Sequence, residues 1–162
     1  MANWRQKLAL NTIGIKGLDR NTADLVIKID SLDDFFGTKP PRTIELHREL
    51  IVSAPAPVNS YLIDGKNYLA SDWICEVAFL RVVEAFKALP DDPKITINGV
   101  EKSLAEIRPV LPPADANSDI QWGFDVGDDM LNVGGTKYTI RKVEALDWLD
   151  NEPSSFQLIL KG

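Results

Sequence analysis

A chain of 162 residues, 44% hydrophobic and 26% charged, carries enough apolar material for one packed core and too much for a disordered segment. Its formal net charge of -6 argues against free nucleic acid as the main ligand, because the densest basic stretch, Arg42 to Arg48, is interleaved with Glu45 and Glu49. No apolar run reaches the roughly 18 residues of a membrane span, no apolar segment of a signal peptide follows the charged start, and the lone Cys75 allows no intrachain disulfide, so a reducing cytoplasmic compartment is the expectation.

Taken in chain order, residues 3–13 read as a short helix with Asn3 as N-cap and Gly14 near its end; Trp4, Leu8 and Ile15 share one face. Residues 24–29 read as a strand. Asp33 to Gly37, followed by Pro40-Pro41, is turn-rich. Residues 43–52 start with period-2 alternation, and a slip of phase near Arg48–Glu49 predicts a bulge or a strand end. Ala54-Pro55-Ala56-Pro57 is a stiff extended spacer. Asp64-Gly65 between two apolar runs is a strong hairpin signal, because both turn positions need positive φ.

Residues 72–89 carry Ile74, Val77, Ala78, Val82, Ala85, Phe86 and Leu89 at three- and four-residue spacings. That predicts a helix capped by Ser71 or Asp72 and stopped by Pro90, with Cys75 and Trp73 in its buried part. The rival reading continues the hairpin as strand through Trp73 and Cys75. Asn98-Gly99 marks another hairpin, and residues 103–107 read as a short strand or a helical turn. Residues 109–119 form a solvated Pro/Ala/Asp loop. Residues 121–125, 130–133, 137–144 and 156–160 read as strands, with Gly134-Gly135 as a tight turn. Ile63 to Tyr68 and Val133 to Tyr138 resemble one another, with Ile97-Asn98-Gly99 a shorter copy; ordinary hairpin turns account for all three, and a duplicated small barrel with a boundary near Pro90–Pro93 is the alternative.

Chemistry-bearing patterns are sparse. One histidine and one cysteine leave no ordinary zinc set. Asp115-x-Asn117-x-Asp119 imitates the start of a calcium loop, but Ile120 and Val126 stand where the turn glycine and the closing glutamate belong. Val133-Gly134-Gly135-Thr136-Lys137 lacks phosphate-loop spacing, and no serine sits in a G-x-S-x-G turn. His47 on a polar face and Cys75 in an apolar pattern make a poor nucleophilic pair. Among the four tryptophans, Trp73 reads as core. Trp148 is different: with Leu146 and Leu149 it forms an apolar triplet among Asp147, Asp150 and Glu152. That is the composition of an interface anchor with a polar rim, and packing of Trp148 back onto the barrel is the other reading.

The C-terminal third has a resemblance. Gly127-Asp128-Asp129, then Leu131, Val133, Gly134-Gly135, Tyr138, Ile140 and Val143, then a polar loop and Phe156-Gln157-Leu158-Ile159-Leu160 resemble the ending of small β-barrel proteins of tailed bacteriophages, the head-tail attachment, head-completion or stopper proteins. The likeness covers about 35 of the 162 residues, and residues 1–90 have no counterpart in it. It implies a ring-docking virion protein at the neck, partnered by portal, adaptor or tail proteins and by copies of itself. It implies residence in the virion, and in the host cytoplasm during assembly.

The expected fold is α+β, dominated by antiparallel sheet in a small barrel or sandwich, with one short N-terminal helix and one central helix. The expected organisation is a single domain over 1–162, or two lobes at 1–90 and 91–162. The expected function is a non-catalytic virion structural component of a tailed phage, without cofactor or metal and without nucleic-acid or membrane partners, whose interface residues are Leu146, Trp148 and Leu149. A small-ligand or carbohydrate-binding β-module is the alternative, and a small hydrolase the third reading.

Overall fold

The computed structural model describes residues 2–13, 21–31, 42–63, 65–115 and 117–162. Asn3 caps helix α1 (Trp4–Thr12). Gly14 and Ile15, the turn-rich 33–41 and Asp64 lie outside the described residues. Strand β1 (Asn21–Ser31) turns Ala23, Leu25, Ile27 and Ile29 inward at every second position, as a strand with one buried face requires. Strand β2 (Arg42–Val52) pairs with it antiparallel, from Asn21↔Val52 to Ser31↔Arg42 without a break. Neither the bulge nor the strand end expected at Arg48–Glu49 is therefore present. The apparent slip arises because Arg48 shares the inward phase of Leu46 and Leu50, and its guanidinium is spent on the Ala85 carbonyl and on Asp92.

Strands β3 (Ala56–Ile63) and β4 (Lys66–Ala78) form the predicted hairpin, and Gly65 has φ +76°. The helix expected over 72–89 is corrected. Its first half is the end of β4, and only Phe79–Ala85 is helical, as α2. Ile74, Val77, Ala78 and Val82 fit a helical period by coincidence. In β4, Asp72 to Ala78 pair with the last strand, β11 (Ser155–Lys161), which buries Cys75 and Val77 on one face. Tertiary pairing outweighs local periodicity here. Asp72, a candidate helix cap, is instead a fully buried strand residue whose carboxylate meets Arg141 at 2.6 Å.

Strands β5 (Ile95–Ile97) and β6 (Val100–Lys102) flank an Asn98-Gly99 turn with φ of 52° and 78°. Residues 103–107 settle as a helical turn, α3 (Leu104–Ile107), with a Ser103/Glu106 capping box. The strand expected over 121–125 is corrected too. It is a minimal hairpin, β7 (Ile120–Gln121) and β8 (Phe124–Asp125), folded about Trp122-Gly123. Strands β9 (Met130–Val133) and β10 (Thr136–Leu146) follow, joined by Gly134-Gly135, both with positive φ.

The large sheet runs β11-β10-β9-β1-β2-β4-β3, and the further pairing of β11 with β4 closes six of its strands into a ring. β2 ends and β3 begins on the same edge of β4, through Val52↔Val77 and then Ala56↔Ile74. The chain therefore bends out of the ring, and the β3–β4 hairpin continues past Asp72↔Lys161, where pairing with β11 stops. Three neighbouring strands from each half of the sequence, β1, β2 and β4 and then β11, β10 and β9, enclose one core, built from Leu25, Ile27, Leu50, Val77, Phe124, Leu131, Ile140, Phe156, Leu158 and Leu160. The three look-alike segments all sit at hairpin turns.

One end of the ring is closed by a buried ion pair. β9 covers only Ala23 to Val26 of β1, so beyond Val26 that strand needs other partners. Arg108, just after α3, meets Asp129 with Nη1 at 2.7 Å and Nη2 at 3.2 Å, and donates to the carbonyls of Gly123 and Lys28. Asp129 also accepts from the backbone amides of Lys28 and Asp125.

Cys75 is buried in β4, not in a helix, and removal from water pushes its thiol up to about 12, with Glu76 adding to the shift. A thiol held neutral and covered reacts slowly. Labelling with a maleimide at pH 7 in native buffer should stay far slower than in denaturant; comparable rates would contradict the β4–β11 pairing.

Candidate functional site

Helix α1 is mounted the unexpected way round. Gln6 is 1% exposed, while Trp4 is 63% and Leu8 54% exposed. At 3.6 residues per turn, Gln6 lies about 200° from both Trp4 and Leu8 around the helix. The polar side is the attached one. The Gln6 side-chain oxygen accepts from the Asn3 amide at 3.1 Å, and its nitrogen donates to Glu152 at 2.8 Å and to the Pro153 carbonyl at 3.2 Å. Asn3 donates through its side chain to the Leu149 carbonyl at 3.1 Å. The same two residues form the N-terminal capping box. One pair of amides thus starts the helix and fastens it to the loop after β10.

That loop, 147–154, is a miniature hairpin. Leu149 and Glu152 exchange both backbone hydrogen bonds around Asp150-Asn151, whose φ values of 55° and 61° suit these residue types. The Ser154 hydroxyl donates to the Asp147 carbonyl at 2.6 Å. Its internal hydrogen bonds fix the loop's shape without a partner.

The three expected interface residues fall in different places. Leu146, half-buried at the end of β10, lines a cleft of about 450 Å³ with Trp4 and Leu8. Trp148 is 49% exposed, and its ring leans on Trp122 at 5.7 Å. Leu149 is half-buried, and its carbonyl holds α1. Trp122 in turn packs on Phe156 at 5.2 Å, and Phe156 on Phe79 at 5.8 Å. Trp122 has φ +53°, a conformation a bulky side chain rarely adopts. The turn at Trp122-Gly123 delivers its ring under Trp148. Sequence reasoning placed Trp4 and Leu8 on one face and missed that this face is the outward one. The signal available was the polar pair Asn3 and Gln6 on the opposite side.

Charge around the cleft is uneven. Glu76 and Asp147 line it with exposed carboxylates that form no ion pair among the described residues. Arg5, the one cationic lining residue among the described residues, lies over the Trp4 ring at 5.3 Å.

A second cleft, about 420 Å³, lies on the outer face of β1 and β2 around His47. His47 meets Asp24 at 2.8 Å and Glu45 at 3.4 Å, and the hydrogen bond to Asp24 chiefly raises its pKa above 6.5. His47 is on the exposed face of β2 and Cys75 on a buried face of β4, so the structure does not bring them together. Trp73 lies on β4, half-buried, with its ring 5.8 Å from Tyr138. Asp115 accepts from the Asn117 amide at 2.8 Å, a local turn contact. Among the described residues no three or more His, Cys, Asp or Glu side chains are grouped to hold a metal ion, and no helix is long and apolar enough to cross a membrane.

No family model matches this chain, and no curated protein or solved structure matches it either.

Proposed function

We infer that this chain is a docking subunit of a larger protein assembly, and that it attaches through the outward face of α1 together with the 147–154 loop. The observation that carries the reading is the inverted helix: a glutamine is buried so that a tryptophan and a leucine face outward. Trp4 and Leu8, exposed beside the half-buried Leu146 in one cleft, and Trp148, half-exposed beside Trp122 in a separate cleft on the pre-shaped loop, are costly for a molecule that stays alone, and their composition is that of an interface centre. With the resemblance of residues 127–160 to phage head-tail connectors, the assembly that fits is the neck of a tailed phage. Portal, adaptor or tail proteins are then the partners, alongside copies of the chain.

The test is incorporation. Particles purified from the source of this sequence should contain the chain in fixed stoichiometry. The double variant Leu8→Ser/Trp148→Ala should fold, with a stability change of about 1–2 kcal/mol for two half-exposed positions, and should stay in the soluble fraction. Absence of the chain from particles, or undiminished incorporation of the folded variant, would overturn the reading.

A further inference from the structure

We propose that the cleft beside α1 receives a basic amphipathic helix from another protein, with apolar side chains seated between Trp4, Leu8 and Leu146 and cations set on Glu76 and Asp147. The inference rests on the docking reading above and names the chemistry of the partner.

The shape of the cleft comes first. Trp4, Leu8 and Thr12 line it at four-residue intervals along α1, with Leu146 also lining it. The eight steps from Trp4 to Thr12, at 1.5 Å each, make the lined length about 12 Å. A second helix laid along the first presents side chains at the same interval, so its positions i and i+4 fall opposite Leu8 and its neighbours. A volume of about 450 Å³ is enough for a few large side chains and too small for a folded domain.

Charge decides what those side chains accompany. Glu76 and Asp147 are unpaired among the described residues, and Arg5 is engaged with the Trp4 ring. An apolar insert that carried carboxylates would meet both of these; one that carried lysines or arginines would pair with them as water leaves. The same argument sets aside a second copy of this chain. A two-fold contact through this cleft would bring Glu76 and Asp147 of both copies together, in a chain whose net charge is already -6.

The experiment uses the full chain and two synthetic probes. One is a fifteen-residue amphipathic peptide of leucine and lysine, the other its leucine and glutamate counterpart; binding is followed by tryptophan fluorescence and calorimetry. The lysine peptide should bind at micromolar concentration, and the glutamate peptide about tenfold or more weakly, as expected for two charge contacts. Glu76→Gln/Asp147→Asn should remove most of that difference. Glu101→Gln/Asp91→Asn, which changes net charge equally far from the cleft, should preserve it. Leu8→Ser should weaken both peptides.

Equal binding of the two peptides, no binding of either, or an identical response to the two charge-neutralising variants would overturn the proposal. So would a dimer in sedimentation velocity that Leu8→Ser dissolves, since the occupant would then be a second copy. The two readings fail separately. A chain missing from particles that still discriminates the peptides loses the assembly role and keeps the cleft. A chain present in particles that ignores both peptides does the reverse.

Discussion

Asp129→Ala is expected to destabilise the fold by about 3–5 kcal/mol, the usual result of stranding one partner of a buried ion pair. Asp129 is fully buried and Arg108 nearly so. The carboxylate receives two contacts from the guanidinium and two from backbone amides, those of Lys28 and Asp125. Alanine removes all four acceptor contacts and leaves the buried guanidinium with only Asp125, at 3.8 Å, as a counter-charge. Arg108→Ala should do comparable harm by stranding the carboxylate and freeing the carbonyls of Lys28 and Gly123. Removing both partners should cost clearly less than the sum of the single changes, because neither charge is then left alone. Urea unfolding of the three variants measures this directly. Additive single and double effects, or a loss under about 1 kcal/mol for Asp129→Ala, would show that the pair is not what closes this end of the ring.

Phe156→Ala is expected to cost a similar amount, about 3–5 kcal/mol, through the lost ring and the cavity left behind. Phe156 is fully buried on β11, and both Phe79 and Trp122 lean on it. Its loss should reach the surface. Trp122 holds Trp148, so slack under Trp122 should loosen the anchor and shift tryptophan emission to the red in the folded variant. Phe79→Ala should be milder, because Phe79 is only half-buried. An unchanged emission spectrum in folded Phe156→Ala would separate the exposed tryptophan from the core beneath it.

Legibility followed the range of the interactions. Hairpin turns were visible because they are local: Asn98-Gly99 and Gly134-Gly135 declare their positive φ, and the structure has it. The α1 cap was visible for the same reason, through Asn3. The end of β4 was legible only as the rival reading of a continued strand, which the structure bears out, because its neighbours arrive from far away, Ser155 to Lys161 on one edge and Ala56 to Val58 on the other. Arg48 misled for a related reason. A charge in an inward phase looks like a register error until Asp92 and the Ala85 carbonyl are seen to receive it. At the candidate site the sequence marked Leu146, Trp148 and Leu149 as unusual. It did not mark Trp4 and Leu8 as companions of Leu146, because the attachment of α1 runs through Gln6 and Asn3 to residues roughly 146 positions away.

The placing of β11 has a consequence for how the molecule is made. It lies between β4 and β10 and pairs with both. During synthesis, β4 emerges from the ribosome long before its neighbour, and its backbone groups along Asp72–Ala78 must wait for Ser155–Lys161. Until then the nascent chain carries two bare sheet edges, the arrangement most open to pairing with the wrong strand. Closing contacts between such distant segments is also the slow step in a sheet of this connectivity. Chains halted before Ser155 should therefore be sticky and sensitive to protease, while chains that include β11 are not, and β11 acts as the latch that ends the vulnerable period.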